Sequence, residues 1–182
     1  MTAHFGHTKL EAGTETPRLR ILFSEGPLEL RWIHCSMTAD FIADFFAGLA
    51  GRAGLDEANS RHSIGYLANE LLENAVKFRA PGDVTVEAAL DGAEFTFAIS
   101  NFASRETASG LEGLIQEITS RDPSELLIER MERNAEDPES TGSGLGLLTL
   151  ANDYGVRLGW TLEPHAADGP VHIRTIANVT LT

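Results

Sequence analysis

Three polar side chains on one predicted helix have the types and spacing of a site for a hydrated metal ion and a polyphosphate. Glu70, Asn74 and Lys77 are separated by four and three residues, so a helix places them in one column. An amide oxygen is a hard ligand for Mg²⁺, a carboxylate can orient or deprotonate a nucleophile, and an ammonium can pair with phosphate. The alternative is an ordinary amphipathic helix on which Glu73 and Lys77 form an ion pair.

A glycine-rich segment at residues 141–147, TGSGLGL, could bring backbone N–H groups close to an anion. The apolar run after it can open a helix whose N-terminus favours phosphate. The segment is not a P-loop, because no Gly-Lys-Ser/Thr follows, and Leu147 stands where a dinucleotide fingerprint has its third glycine. Alone the segment is weakly specific, and with the polar column it indicates a phosphate site of another type.

The elements that must position these motifs alternate between helices and hairpins. The polar column lies on a helix predicted from Asp56 to Phe78, and Asp91-Gly92 is a preferred hairpin turn. The other predicted elements are a helix from about 36 to 51 or 54, strands at 84–90 and 94–100, helices near 111–119 and 124–134, and strands at 156–162 and 171–181. Because no βαβ units form, we predict an α+β fold, a two-layer α/β sandwich with a mostly antiparallel sheet and helices on one face.

We expect one domain, at residues 19–182, preceded by a flexible N-terminus at residues 1–18. The domain starts with a strand extension in which the apolar runs 19–23 and 28–33 flank Gly26-Pro27 and form a hairpin or two edge strands. Edge-to-edge pairing of residues 28–33 is the basis for a predicted homodimer. Trp32 and Trp160 lie in strand-like runs and are predicted to be core residues.

Composition and charge exclude several classes of function. Acidic residues outnumber basic ones 27 to 14, and the formal net charge of −13 would repel nucleic acid and anionic membranes. The single Cys35 excludes an intramolecular disulfide and fits a reducing compartment. The N-terminus lacks the apolar stretch of a signal peptide and no apolar run is long enough to span a membrane, so we expect a cytoplasmic protein that binds neither nucleic acid nor membrane.

Residues 112–139 are the most acidic part of the chain, with nine acidic residues, three arginines and a net charge of −6. The simplest interpretation is a solvated helix surface. The alternatives are a mobile cover over a site and a docking face for a basic partner.

The polar column, a hairpin, a variable segment and the glycine segment, in this order, resemble the GHKL (histidine kinase-like) ATP-binding superfamily. The resemblance covers about residues 60–181 and implies the Bergerat ATPase fold, with ATP and Mg²⁺ as cofactors. It implies that Asn74 ligates Mg²⁺, that Glu70 is the catalytic base and that Lys77 contacts phosphate. It also implies that the triphosphate is wrapped by Thr141, Gly142, Gly144, Leu145, Gly146 and Leu147. Thr175, on the last strand, matches a hydroxyl position that helps to bind adenine.

One part of the sequence departs from the family pattern. The family has Asp-x-Gly-x-Gly after the second hairpin strand, and its aspartate accepts the adenine amino hydrogen. Residues 99–104 read ISNFAS, so Asn101 stands at the aspartate position and neither glycine is present. The amide oxygen of Asn101 can accept the same hydrogen. A degenerate relative that does not bind nucleotide is the alternative.

Within the superfamily, the chain is most similar to the SiaB-like protein kinases, which are relatives of the anti-sigma serine kinases of partner-switching systems. None of its six histidines is followed by an acidic residue in a dimerisation helix, as a sensor histidine kinase requires. The resemblance implies a kinase that phosphorylates a Ser or Thr of a small partner protein and is opposed by a PP2C-type phosphatase. A nucleotide-regulated, anti-sigma-like binding module without phosphoryl transfer and a stand-alone ATPase are the alternatives.

Overall fold

The computed structural model describes residues 2–8, 16–25, 32–136, 144–166 and 169–182. Its elements, in chain order, are β1 (Ala3–Gly6), β2 (Arg18–Phe23), α1 (Trp32–Arg52), α2 (Glu57–Lys77), β3 (Val84–Asp91), β4 (Glu94–Ala103), α3 (Arg105–Ser120), α4 (Pro123–Glu136), α5 (Leu145–Asp153), β5 (Arg157–Pro164) and β6 (Val171–Thr180).

The six strands form one antiparallel sheet in the order β1-β5-β6-β4-β3-β2. Its centre is the β4–β6 pair, whose register runs from Glu94↔Thr180 to Ala103↔Val171. The helices pack on one side of the sheet, so the predicted α+β class with an antiparallel sheet is confirmed. The β3–β4 hairpin also turns where expected, because Gly92 has a φ of 59° beside the Asp91↔Glu94 pair.

The core lies between the sheet and the helices, and each of the helices α1 to α5 contributes buried residues to it. Phe95 and Phe97 occupy alternate positions of β4 and are fully buried. The Phe95 ring meets the Phe46 ring of α1 edge-on, with their centroids 5.1 Å apart. The buried apolar residues of α2 recur at helical spacing and include Ile64, Leu67, Leu71 and Ala75. Each large buried side chain contributes about 1.5–3 kcal/mol, so this packing holds α2 firmly in the core.

Helix α2 ends close to where the sequence predicts. Asp56 is its N-cap, and the Oδ1 of Asp56 accepts a hydrogen bond from the Asn59 N–H at 2.9 Å. At the other end the Phe78 N–H donates to the Asn74 carbonyl at 3.1 Å. The polar column from Glu70 to Lys77 therefore lies on a helix that is capped at one end and buried along one side.

The N-terminal region differs from the sequence-based expectation in two places. Residues 3–6, expected to be flexible, form β1 and pair with β5 from Ala3↔Leu162 to Gly6↔Gly159. Trp32 and Ile33, expected in a strand, begin α1, and their side chains are 62% and 60% exposed. Residues 28–31 of that predicted strand lie outside the described residues. The prediction of a core residue is wrong for Trp32, whereas Trp160 is buried.

Helix α1 begins earlier than predicted, and Ser36 lies inside it. Its side chain was expected to act among the N-capping residues of the helix. Instead its Oγ donates a hydrogen bond to the Ile33 carbonyl at 3.1 Å, the local bond made by a serine inside a helix. None of the helices in the described part of the chain is long and apolar enough to cross a membrane.

Candidate functional site

A cavity of about 590 Å³ lies between α2, the central strands and helices α3 to α5, and its volume suits a small-molecule ligand. One side, which we call the α2–sheet wall, is formed by residues of α2, β4, β5 and β6. The other side, the α3–α5 wall, is formed by residues of α3, α4 and the start of α5. The predicted ligand residues that line the cavity are Asn74, Asn101, Gly144, Leu147 and Thr175.

Asn74 brings a half-buried carboxamide to the cavity from the last turns of α2. In the described residues, no cluster of three or more His, Cys, Asp or Glu side chains is arranged to hold a metal ion. Mg²⁺, however, usually keeps several waters and takes only one or two protein oxygens together with phosphate oxygens. The Asn74 carboxamide therefore fits a Mg²⁺ ion that enters with a phosphate ligand, and it does not fit a fully protein-ligated metal.

Asn101 and Thr175 lie on neighbouring strands at the inner end of the cavity. In the β4–β6 register Ile99 pairs with Thr175 and Asn101 pairs with Ile173, and all four residues line the cavity. Asn101 is only 6% exposed, and its Nδ2 donates to the Phe102 carbonyl at 3.2 Å. The Asn101 amide oxygen is the acceptor of this side chain and could accept a hydrogen bond from a ligand in the cavity.

Glu70 lies against the first turn of α5. Its Oε2 occupies the space that a Cβ atom on Gly146 would need, although Glu70 does not line the cavity. Burial raises the pKa of the Glu70 carboxyl, and the nearby Glu73 carboxylate raises it further. Gly146 therefore has a steric reason to be glycine that the sequence did not reveal.

Lys77 does not itself line the cavity. Its side chain is exposed, and its Nζ lies 5.1 Å from the centroid of the Phe78 ring, a cation–π contact with a residue that does line the cavity. The ammonium therefore lies next to the cavity lining, and its contact with phosphate stays a prediction.

The predicted glycine segment is only partly described. Thr141 and Gly142 lie outside the described residues. Gly144 has a φ of 96°, in the left-handed region that favours glycine, and it is the N-cap of α5. Leu147 is buried at the cavity, while Leu145 and Gly146 lie in the same first turn without lining it. The N-terminus of α5, where backbone N–H groups lack helical partners, therefore lies at the cavity.

Sequence reasoning missed the polar residues of the α3–α5 wall. Glu106, Thr107 and Glu117 line the cavity from α3, and Arg130 lines it from α4. The Arg130 Nη2 lies 2.6 Å from the Glu117 Oε2. One signal was available, because several cavity residues of α3 recur at helical spacing: Thr107, Gly110, Leu114 and Glu117. No sequence pattern links Arg130 to this face.

Comparison with known proteins finds similarity in structure but not in sequence families. No protein-family model matches the chain, and no curated protein matches its sequence. One chain of the crystal structure of the SiaB–SiaC complex from Pseudomonas aeruginosa is similar, with a TM-score of 0.62 over 87% of this chain and 89% of that chain. The two sequences are 16% identical, so the similarity to this solved chain is one of fold.

Proposed function

We propose that the protein is an ATP-dependent serine/threonine kinase of a partner-switching signalling system. One observation carries the proposal: Asn74, Asn101, Thr175 and the N-terminus of α5 come from four separate elements and line one cavity. These are the types of group that bind a magnesium–nucleotide complex. The fold similarity to a chain of the SiaB–SiaC complex supports the signalling role.

These residues bind different parts of the magnesium–nucleotide complex. The Asn101 amide oxygen accepts a hydrogen from the adenine amino group, and the Thr175 hydroxyl lies beside it on β6. Asn74 holds Mg²⁺, which when bound neutralises charge on the phosphates. The free N–H groups of the α5 N-terminus, at Gly144, bind phosphate oxygens. Positioning and charge stabilisation of this kind supply most of the catalysis of phosphoryl transfer.

Glu70 is the proposed general base. The acceptor hydroxyl oxygen forms a bond to the γ-phosphorus as the bond to the ADP oxygen breaks, and the hydroxyl proton passes to Glu70. A raised carboxyl pKa makes Glu70 a better proton acceptor than an exposed glutamate. Because Glu70 contacts Gly146, the base lies next to the helix turn that would hold the phosphates.

The proposed partner is a small protein carrying the phosphorylated Ser or Thr, with a PP2C-type phosphatase opposing the kinase. The solved structure that this chain resembles is itself a complex of two proteins. The homodimer remains a prediction. It was based on edge-to-edge pairing of a strand at residues 28–33, but Trp32 and Ile33 are helical. Light scattering of the purified protein measures this oligomeric state. The cytoplasmic location also remains a prediction.

Thermal unfolding with ATP or ADP, with and without Mg²⁺, tests nucleotide binding. A ligand at about 100 times its Kd stabilises the folded state by about 2.7 kcal/mol. We expect a Mg²⁺-dependent rise in Tm for the wild type and its loss in Asn74→Ala. Asn59→Ala, a change on the exposed start of the same helix, is the matched control and should keep the rise. No nucleotide-dependent rise in the wild type would refute the proposal.

Phosphoryl transfer is tested separately, by the intact mass of a partner recovered by co-purification and incubated with Mg-ATP. We expect one added phosphate with the wild type and none with Glu70→Gln. A binding module without transfer is the second candidate, and the position of Glu70 outside the cavity lining favours it. That candidate is supported if partner binding persists in Glu70→Gln and no phosphate is added by the wild type.

A further inference from the structure

We infer that Arg130, and not Lys77, is the side-chain cation that binds the nucleotide phosphates, and that Glu117 competes with phosphate for it. The inference rests on the proposed nucleotide site and adds a specific residue pair to it. Among the described residues that line the cavity, Arg130 is the one basic side chain. Lys77 is exposed and does not line the cavity; its Nζ lies over the ring of Phe78, which does.

The position of the guanidinium supports this assignment. The Arg130 Nη1 lies 3.4 Å from the point that a Cβ on Gly144 would occupy, so the guanidinium adjoins the N-terminus of α5. The free N–H groups and the positive end of the helix dipole attract anions at the same place. Two independent features, a guanidinium and a helix N-terminus, therefore converge on one corner of the cavity. A phosphate there would contact both.

Arg130 is already paired with a carboxylate, which an incoming phosphate would have to displace. The Arg130 side chain is 18% exposed, and its Nη2 contacts the Glu117 Oε2 at 2.6 Å. A carboxylate and a phosphate present similar pairs of oxygens to a guanidinium. Glu117 is 47% exposed, so its carboxylate can move into water when a phosphate takes its place. Until then, its negative charge opposes the entry of phosphate.

A second ion pair between the same helices offers a control for these variants. Arg121 and Glu129 form a second ion pair between the end of α3 and α4, again at 2.6 Å. Neither residue lines the cavity, and their side chains are 42% and 40% exposed. Neutralising Arg121 therefore removes the same type of charge from the end of α3 without changing a cavity-lining residue, although the Arg121 charge also interacts with Glu117.

Calorimetric titration of the purified protein with ATP and with adenosine tests the inference. We expect Arg130→Gln to weaken ATP binding by roughly 10-fold or more, because charge-assisted hydrogen bonds to phosphate are strong. Glu117→Gln should tighten ATP binding, since it removes the competing charge. Lys77→Gln and Arg121→Gln should leave ATP binding within about 2-fold. Adenosine, which lacks phosphate, should bind all of these variants as it binds the wild type.

The double variant Glu117→Gln with Arg130→Gln separates a phosphate contact from a structural effect. If Arg130→Gln acts only by leaving Glu117 without its partner, the double variant regains wild-type ATP affinity, and the inference is wrong. It is also wrong if Lys77→Gln weakens ATP binding and Arg130→Gln does not, or if adenosine and ATP weaken equally. Unchanged ATP affinity in Glu117→Gln refutes the competition. A wild type that binds neither ligand refutes the proposed function itself.

Discussion

The two walls of the cavity are built from different kinds of interaction. Helix α2 buries seven residues against the core and is closed by the Asp56 cap. Helices α3 and α4 bury few apolar side chains and are joined at exposed ion pairs, such as Arg121–Glu129. Exposed ion pairs contribute only about 0–1 kcal/mol each, whereas a buried large side chain contributes about 1.5–3 kcal/mol. The comparison teaches that the α2–sheet wall is anchored by one long buried helix face, whereas α3 and α4 combine fewer buried side chains with ion pairs that depend on charge.

The largest effect should come from removing a core ring behind the α2–sheet wall. Phe95→Ala deletes a fully buried side chain and its edge-on contact with Phe46, and should lower the free energy of unfolding by about 3–5 kcal/mol. Ile128→Ala, on α4 and 59% exposed, should change it by less than about 0.5 kcal/mol. Urea unfolding measures both values. Similar losses in the two variants would contradict the burial of Phe95 and the exposure of Ile128.

The next largest effect tests the contact between the two walls at Glu70 and Gly146. Gly146→Ala places a Cβ where the Glu70 carboxylate lies, so it should lower the free energy of unfolding by about 1–3 kcal/mol. Gly48→Ala in α1 meets no atom within 4 Å and should be neutral or raise it by up to about 1 kcal/mol. Chemical unfolding compares them. Adding Glu70→Ala should restore most of the stability of Gly146→Ala, and a failure to do so would rule out this clash.

The difference between the walls also explains how much could be predicted from the sequence. The bounds of α2, the β3–β4 turn and the presence of strands β4 and β6 follow from local signals, namely a cap, an Asp-Gly turn and periodic apolar residues, whereas the pairing of β4 with β6 does not. Asn74, Asn101 and Thr175 were placed by those elements and by the family resemblance.

The remaining residues depend on contacts between distant parts of the chain. Arg130 is one of three arginines in an acidic segment, and only the packing of α4 on α3 and α5 brings it beside Gly144. Lys77 has the correct helical spacing, but the rotation of α2 leaves it exposed. Trp32 was misassigned because a short apolar run fits either a strand or a helix end. The spacing of residues along the sequence shows which side chains share a helix face, but not which other elements that face packs against.

A third prediction compares the N-caps of the two walls. Asp56 caps α2 and Ser104 caps α3, where its Oγ accepts from the Thr107 N–H at 3.1 Å. Asp56→Ala should lower the global free energy of unfolding by about 1 kcal/mol. Ser104→Ala should mainly speed hydrogen exchange of the α3 amides, by about 5-fold, because α3 buries fewer apolar side chains than α2 and should open at a lower free energy. Equal losses of global stability would show that both walls unfold as one unit.

The smallest expected effect is on the pH dependence of stability, to which Glu70 and Glu129 contribute in opposite directions. Burial raises the pKa of Glu70, so the folded protein holds this proton to higher pH than the unfolded chain, and stability falls as pH rises through the folded pKa. Glu70→Gln cannot lose a proton, so it should have a higher Tm than the wild type at neutral pH. The difference should vanish as the pH falls below about 4, where the unfolded glutamate is also protonated.

Glu129 should behave in the opposite way. The hydrogen bond and charge of Arg121 lower the pKa of Glu129, so its ionised form stabilises the folded protein above the unfolded pKa, and this contribution is lost as pH falls through the lowered value. Glu129→Gln should therefore have a slightly lower Tm than the wild type at neutral pH, with the difference closing in acid. Tm measured from pH 3 to 8 compares both variants. Because Glu129 is exposed, added salt should shrink its difference more than that of the half-buried Glu70. Equal salt sensitivity would mean that Glu70 is as accessible to water as Glu129, which would contradict the burial of Glu70 against α5.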